Sequence, residues 1–100
     1  MDEYYGQING LILDLLIPVR TEKKLNKEVF LKLCDILEKI EDEVRGKESI
    51  QRNIAGLIFF IYRSLSDEVV TNDYKNELFR AVGKLEDILD KIFWDSPFKE

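Results

Sequence analysis

Residues 26–46 read NKEVFLKLCDILEKIEDEVRG, and the recurrence of apolar side chains in this stretch decides the fold. From Phe30, with Val29 beside it, Leu33, Leu37, Ile40 and Val44 follow at steps of three and four residues. At about 100° per residue these side chains share one stripe of an α-helix, and the charged residues fall on the other faces. Asn26 suits the N-cap, where its side-chain oxygen accepts from an amide in the first turn. Glu28 complements the positive end of the helix dipole. Gly46 suits the left-handed position that follows a helix. The stretch therefore predicts a helix over 26–45 with its own start and stop signals.

The same rhythm continues on both sides. A third helix is expected over 49–65, opening at Ser49, with Ile50, Ile54, Leu57, Ile58, Ile61 and Leu65 on its stripe and Gln51, Arg52 and Arg63 off it. A fourth opens near Thr71 or Asn72 and runs to Trp94, with Tyr74, Leu78, Val82, Leu85, Leu89 and Ile92 aligned. The first covers about 2–17, where Tyr5, Ile8, Ile12, Leu15 and Leu16 fall at helical spacing and Asp2 and Glu3 favour the N-terminal end. Pro18 is expected to stop it, because the residue before a proline is pushed out of helical geometry. The segment 18–25 then reads as a charged connection, and Pro97 ends the ordered part before a tail over 95–100.

No stretch alternates with period two, so strands are not expected. Four amphipathic helices with short to medium connections predict an all-α, antiparallel, left-handed four-helix bundle. It forms one domain over 1–100, with neighbouring helices side by side.

Composition agrees with this and excludes several functions. A chain of 100 residues with 45% hydrophobic and 35% charged residues, five glycines and two prolines is too apolar for disorder and supports one modest core. The net charge is −5, with fifteen basic residues interleaved among twenty acidic ones, which argues against nucleic acid as a partner. The block from Glu38 to Glu43 reads as a solvated helix face. The longest apolar run, 54–62, is nine residues. Crossing a bilayer takes roughly 20, so no transmembrane segment is expected, although contact with a membrane face stays open. Cys34 is the one cysteine, so no intrachain disulfide can form. Together with an N-terminus that lacks a basic signal region, it points to a cytoplasmic location.

Little chemistry is available. The chain has no histidine, which removes the commonest general base and the commonest zinc ligand. Cys34 borders the 26–45 stripe and reads as a core thiol without an activating partner. Glu41, Asp42 and Glu43 are consecutive on a helix, where neighbours face different ways, and no calcium-loop or phosphate-loop pattern is present. No catalytic residue, metal or cofactor is expected, and the chain reads as a non-enzyme.

The informative residues are apolar ones outside the stripes. Projection places Phe59 and Phe60 on the two flanks of the third helix, Phe79 at the edge of the fourth stripe, Trp94 nearly opposite it, and Leu31 off the second. Either wide bundle faces absorb these side chains or they form a protein–protein surface, where Trp and Phe are frequent anchors.

The third and fourth helices read Ile54-Ala-Gly-Leu-Ile-Phe-Phe-Ile-Tyr-Arg-Ser-Leu-Ser, then Val69-Val-Thr-Asn-Asp-Tyr-Lys-Asn-Glu-Leu-Phe-Arg. This order resembles the immunity proteins of pediocin-like, class IIa bacteriocins, in particular the enterocin A immunity group. The likeness lies in length, four-helix layout, an aromatic-rich third helix and a polar turn leading through Tyr into Lys/Asn/Glu-Leu. Val29, Leu33, Ile36, Leu37 and Ile40 fit the same layout. The resemblance implies a cytosolic bundle that protects its producer from a pore-forming peptide. The implied partner is the mannose phosphotransferase permease once toxin has bound it. The implied working surface is the C-terminal half, with Phe60, Arg63, Arg80, Lys84, Trp94 and Phe98 as candidate partner-binding residues. The acidic net charge and the short tail depart from the family pattern. The rival reading is a homodimeric regulatory or antitoxin-like bundle that uses the same exposed aromatics.

Overall fold

In the computed structural model, which describes residues 2–72 and 76–94, the 26–46 stretch folds as its pattern dictates. Asn26 Oδ1 accepts the Val29 amide at 3.2 Å, and Gly46 adopts φ of 78° just past the helix end. The apolar stripe is buried throughout, and Cys34 is buried beside it.

The described segments are α1 (Asp2–Asn9), α2 (Ile12–Glu22), α3 (Lys27–Val44), α4 (Arg52–Asn72) and α5 (Asn76–Phe93). Both α1 and α2 pack on α3 and on α4, so they act as two halves of one rod. The architecture is the all-α four-helix bundle, and its core is centred on Ile8, Leu15, Leu37, Ile54, Ile61 and Leu85. No strand occurs among the described residues.

Cross-helix contacts fix the directions. The Tyr4 hydroxyl near the start of α1 donates to Glu43 near the end of α3 at 2.6 Å, so the first rod and α3 are antiparallel. The Tyr62 hydroxyl donates to Glu86 at 2.6 Å, and Ala55 shares a groove with Phe93, so α4 and α5 are antiparallel as well. The two hairpins meet differently. Lys27 pairs with Glu77 at 2.8 Å at the starts of α3 and α5, while Glu38 and Glu41 share a groove with Ile88 and Lys91 further along. α3 and α5 are therefore parallel neighbours.

The principal packing pairs do not include α3 with α4, so these two consecutive helices lie across the diagonal rather than side by side as expected. The 45–51 connection makes this possible. At up to ~3.3 Å per residue it reaches roughly 20 Å, against roughly 14 Å for the diagonal of a square of helices about 10 Å apart.

Four expected boundaries move. The chain stays helical through Pro18 to Glu22 and breaks earlier, at Gly10 and Leu11. A proline inside a helix loses one backbone hydrogen bond and strains the preceding turn. Here the continued helix buries Val19 to 1% exposure, and the Pro18 carbonyl accepts the Lys24 amide at 3.2 Å beyond the helix end. α4 opens at Arg52 rather than Ser49, with the Gln51 carbonyl accepting the Ala55 amide at 3.0 Å. It also continues past Leu65, because 66–72 contains neither Gly nor Pro and Val69 still packs on the core. Thr71 and Asn72 thus end α4 instead of opening the next helix, and Tyr74 lies outside the described residues.

Candidate functional site

The apolar side chains left over by the helix stripes are not absorbed into the bundle: Leu31, Phe59, Phe60, Phe79 and Trp94 are all exposed. The helix hairpin α4–α5 turns some of them into a surface. On α4, Ile58 and Ile61 point to the core, and Phe59 projects from the flank that faces α5. On α5, Leu85 and Ile88 point inward, and Leu89 and Phe93 lie on the flank that faces α4. The antiparallel register brings these flanks together into a groove of about 600 Å³ lined by Ala55, Phe59, Tyr62, Leu89 and Phe93, with Glu86 and Asp90 on its α5 wall. Phe59 is 65% exposed, Phe93 47%, and Trp94, at the C-terminal end of α5, 62%. Water-exposed aromatic area of this kind is what a partner can bury with gain.

The polar groups of the groove are ordered. Donation from the Tyr62 hydroxyl to Glu86, assisted by partial burial, raises the Tyr62 pKa and keeps the phenol protonated. Asp90 uses its backbone carbonyl to accept the Trp94 amide at 2.8 Å, which extends the last turn of α5 to the indole.

The six residues singled out from sequence fall on several surfaces. Arg63 is exposed on the outer face of α4, one turn beyond Phe59 and outside the groove lining. Phe60 lies about 100° from Phe59, on the flank nearer the first rod. Arg80 and Lys84 are exposed on the opposite side of α5, where they line a separate groove with Lys27, Phe30, Glu77 and Ala81 against α3. Trp94 is exposed and follows Phe93 in the chain but is not part of the groove lining, and Phe98 lies outside the described residues. The structure therefore does not gather Phe60, Arg80 and Lys84 into one site.

The residues that sequence reasoning missed are Tyr62, Glu86, Leu89, Asp90 and Phe93. Tyr62 and Leu89 are half-buried, and on a single helix Tyr62 looks like a stripe-edge residue and Leu89 like a member of the core stripe. Only pairing α4 with α5 in antiparallel register places Phe93 beside Ala55 and Phe59. The hairpin connection was the available signal.

Elsewhere the chemistry is quiet. Burial pushes the Cys34 thiol pKa up, with Lys84 opposing the shift only in part, so the thiol stays protonated. Arg45 holds Glu41 at 2.7 Å and Asp42 at 2.8 Å, which ion-pairs two carboxylates of the acidic block of α3. Among the described residues, no group of three or more metal-ligating side chains comes together. None of the described helices is long and apolar enough to cross a membrane. Compared with protein-family models, with curated proteins and with solved structures, this chain finds no match.

Proposed function

We propose that this protein is an immunity protein of the pediocin-like type. It protects its producer by binding stoichiometrically, at the cytosolic side, to the mannose phosphotransferase permease engaged by a class IIa bacteriocin. The observation that carries this reading is the aromatic groove of the α4–α5 hairpin, with Phe59 and Phe93 exposed along it. It occupies the C-terminal half, where the sequence resemblance places partner recognition. A stoichiometric blocker needs a stable scaffold and a desolvatable surface, and it needs no turnover chemistry. The buried stripe core supplies the scaffold, the groove supplies the surface, and the chain has no histidine.

The test is expression in a strain sensitive to a panel of class IIa bacteriocins, scored by killing. Protection against one or a few toxins is expected, and Phe59→Ala combined with Phe93→Ala abolishes it while far-UV circular dichroism stays unchanged. Full killing across the panel, with the protein folded and abundant, refutes the reading.

The homodimeric adaptor keeps a place because of a second exposed apolar set, Leu13 and Ile17 on α2 with Phe60 on α4. Helical projection turns all three toward the seam between the first rod and α4. Concentration-dependent dimerisation abolished by Ile17→Lys, without any protection phenotype, favours that alternative.

A further inference from the structure

The charges on the α4–α5 groove restrict its occupant more than its aromatic floor does. All of its acidic side chains come from one wall: Glu86 and Asp90 on α5 are both exposed, whereas the α4 wall of Ala55, Phe59 and Tyr62 carries no charge. Four residues separate the two carboxylates, which sets them about 6 Å apart along the helix axis. Tyr62 donates to Oε2 of Glu86 at 2.6 Å, which fixes that side chain at the groove and leaves its second oxygen to accept from a partner. The occupant thus meets an apolar floor flanked on one side by two carboxylates one helical turn apart.

The shape selects a helix. Between the Ala55–Phe93 and Tyr62–Glu86 levels the groove runs for roughly 10 Å, which is about two turns of a helix laid along it. A third helix nests between two antiparallel helices at interaxial distances of about 8–10 Å, with anchors at i, i+3 or i+4, and i+7. A second copy of this chain fits poorly, because each copy carries a net charge of −5 and the groove wall is itself acidic.

We propose that the α4–α5 groove binds a cationic amphipathic helix, whose apolar face covers Phe59, Leu89 and Phe93 and whose basic side chains, one turn apart, pair with Glu86 and Asp90. This partner class rests on the immunity reading for the choice of surface, but its chemistry comes from the groove. Phe59 and Phe93 supply most of the affinity, and the carboxylates supply orientation and discrimination against anionic helices.

The test is fluorescence anisotropy with two labelled model peptides that share a leucine face and differ only in lysine or glutamate flanks. The lysine peptide binds the full-length protein and weakens as salt is raised, and the glutamate peptide does not bind. Combining Glu86→Gln with Asp90→Asn weakens the lysine peptide by about five-fold, as expected for two rim ion pairs. Phe59→Ala weakens it by about ten-fold, as for an interface anchor. All three positions are exposed, so circular dichroism of the variants is expected to match the parent.

Equal binding of the glutamate peptide, or an unchanged affinity in the double variant, overturns the proposal. So does binding that falls with salt but ignores Phe59→Ala, because that is non-specific attraction to an acidic protein. Light scattering that shows a dimer dissolved by Phe59→Ala overturns it too and assigns the groove to a second copy. Peptide binding without protection from killing rejects the immunity reading and keeps the groove. Protection without peptide binding does the reverse.

Discussion

Replacing Leu85 by Ala removes about three methylene equivalents from a side chain that is 1% exposed at the centre of α5. At about 0.8 kcal/mol per buried methylene, the lost transfer energy is roughly 2.4 kcal/mol. A cavity cost adds to this, because a core whose members are as fully buried as Leu37 and Ile61 relaxes only in part, so the total falls in the range of about 2.5–4 kcal/mol. Leu57 offers an internal control on α4. It shares the periodic stripe with Ile54 and Ile61, yet the folded chain leaves it only half-buried against the core. The same truncation there costs about half as much, roughly 1–1.5 kcal/mol, with little cavity term. Equilibrium urea unfolding followed by far-UV circular dichroism measures both values, with the denaturant slope unchanged in each variant. The reasoning is refuted if Leu85→Ala costs under about 0.5 kcal/mol, or if Leu57→Ala costs as much as Leu85→Ala.

Other changes probe individual features. Pro18→Ala restores a backbone donor inside α2 and relieves the ring clash, and it stabilises the bundle by about 1–2 kcal/mol, read as a rise of several degrees in Tm. Lys23 holds φ at 56°, a left-handed conformation that favours glycine, so Lys23→Gly raises stability by about 0.5–1 kcal/mol in the same melt despite losing a 3.8 Å pairing with Glu68. Folding raises the Tyr4 pKa from 10.0 to about 12, chiefly through the hydrogen bond to Glu43, so the folded state holds the phenolic proton more tightly. That contribution is complete below pH 10 and is lost as pH rises toward 12, and Tyr62 acts in the same direction. Urea midpoints measured across this alkaline window therefore fall more steeply for the parent than for Tyr4→Phe.

What could be read directly was local. The 26–46 stretch carries its cap, stripe and terminating glycine within one helix, and each is found in place, because a helix satisfies its backbone hydrogen bonds within its own segment. The 3-4 spacing likewise identified most core residues of α4 and α5, including Ile54, Ile58, Ile61, Leu65, Leu78, Val82 and Leu85. Boundaries failed where a local penalty met a tertiary reward. Pro18 looked like a stop signal, yet burying Val19 holds the helix together across it.

The aromatic surplus on Phe59 and Trp94 was visible in sequence, and helical projection placed Phe59 on a flank of its helix and Trp94 nearly opposite the stripe of its own. Which flank meets which neighbour was decided only in three dimensions. The diagonal 45–51 crossover makes α3 and α5 parallel neighbours, which draws Arg80 and Lys84 toward α3 and away from Phe60. The antiparallel α4–α5 hairpin joins Phe59 to Phe93 and sets both beside Glu86 and Asp90. The physical reason is one of range. Helical periodicity is set by hydrogen bonds four residues apart, so a single chain segment determines its own stripe. A groove depends on the register of two helices more than thirty residues apart at its far end (Ala55 and Phe93), and core packing fixes that register only when the whole bundle closes.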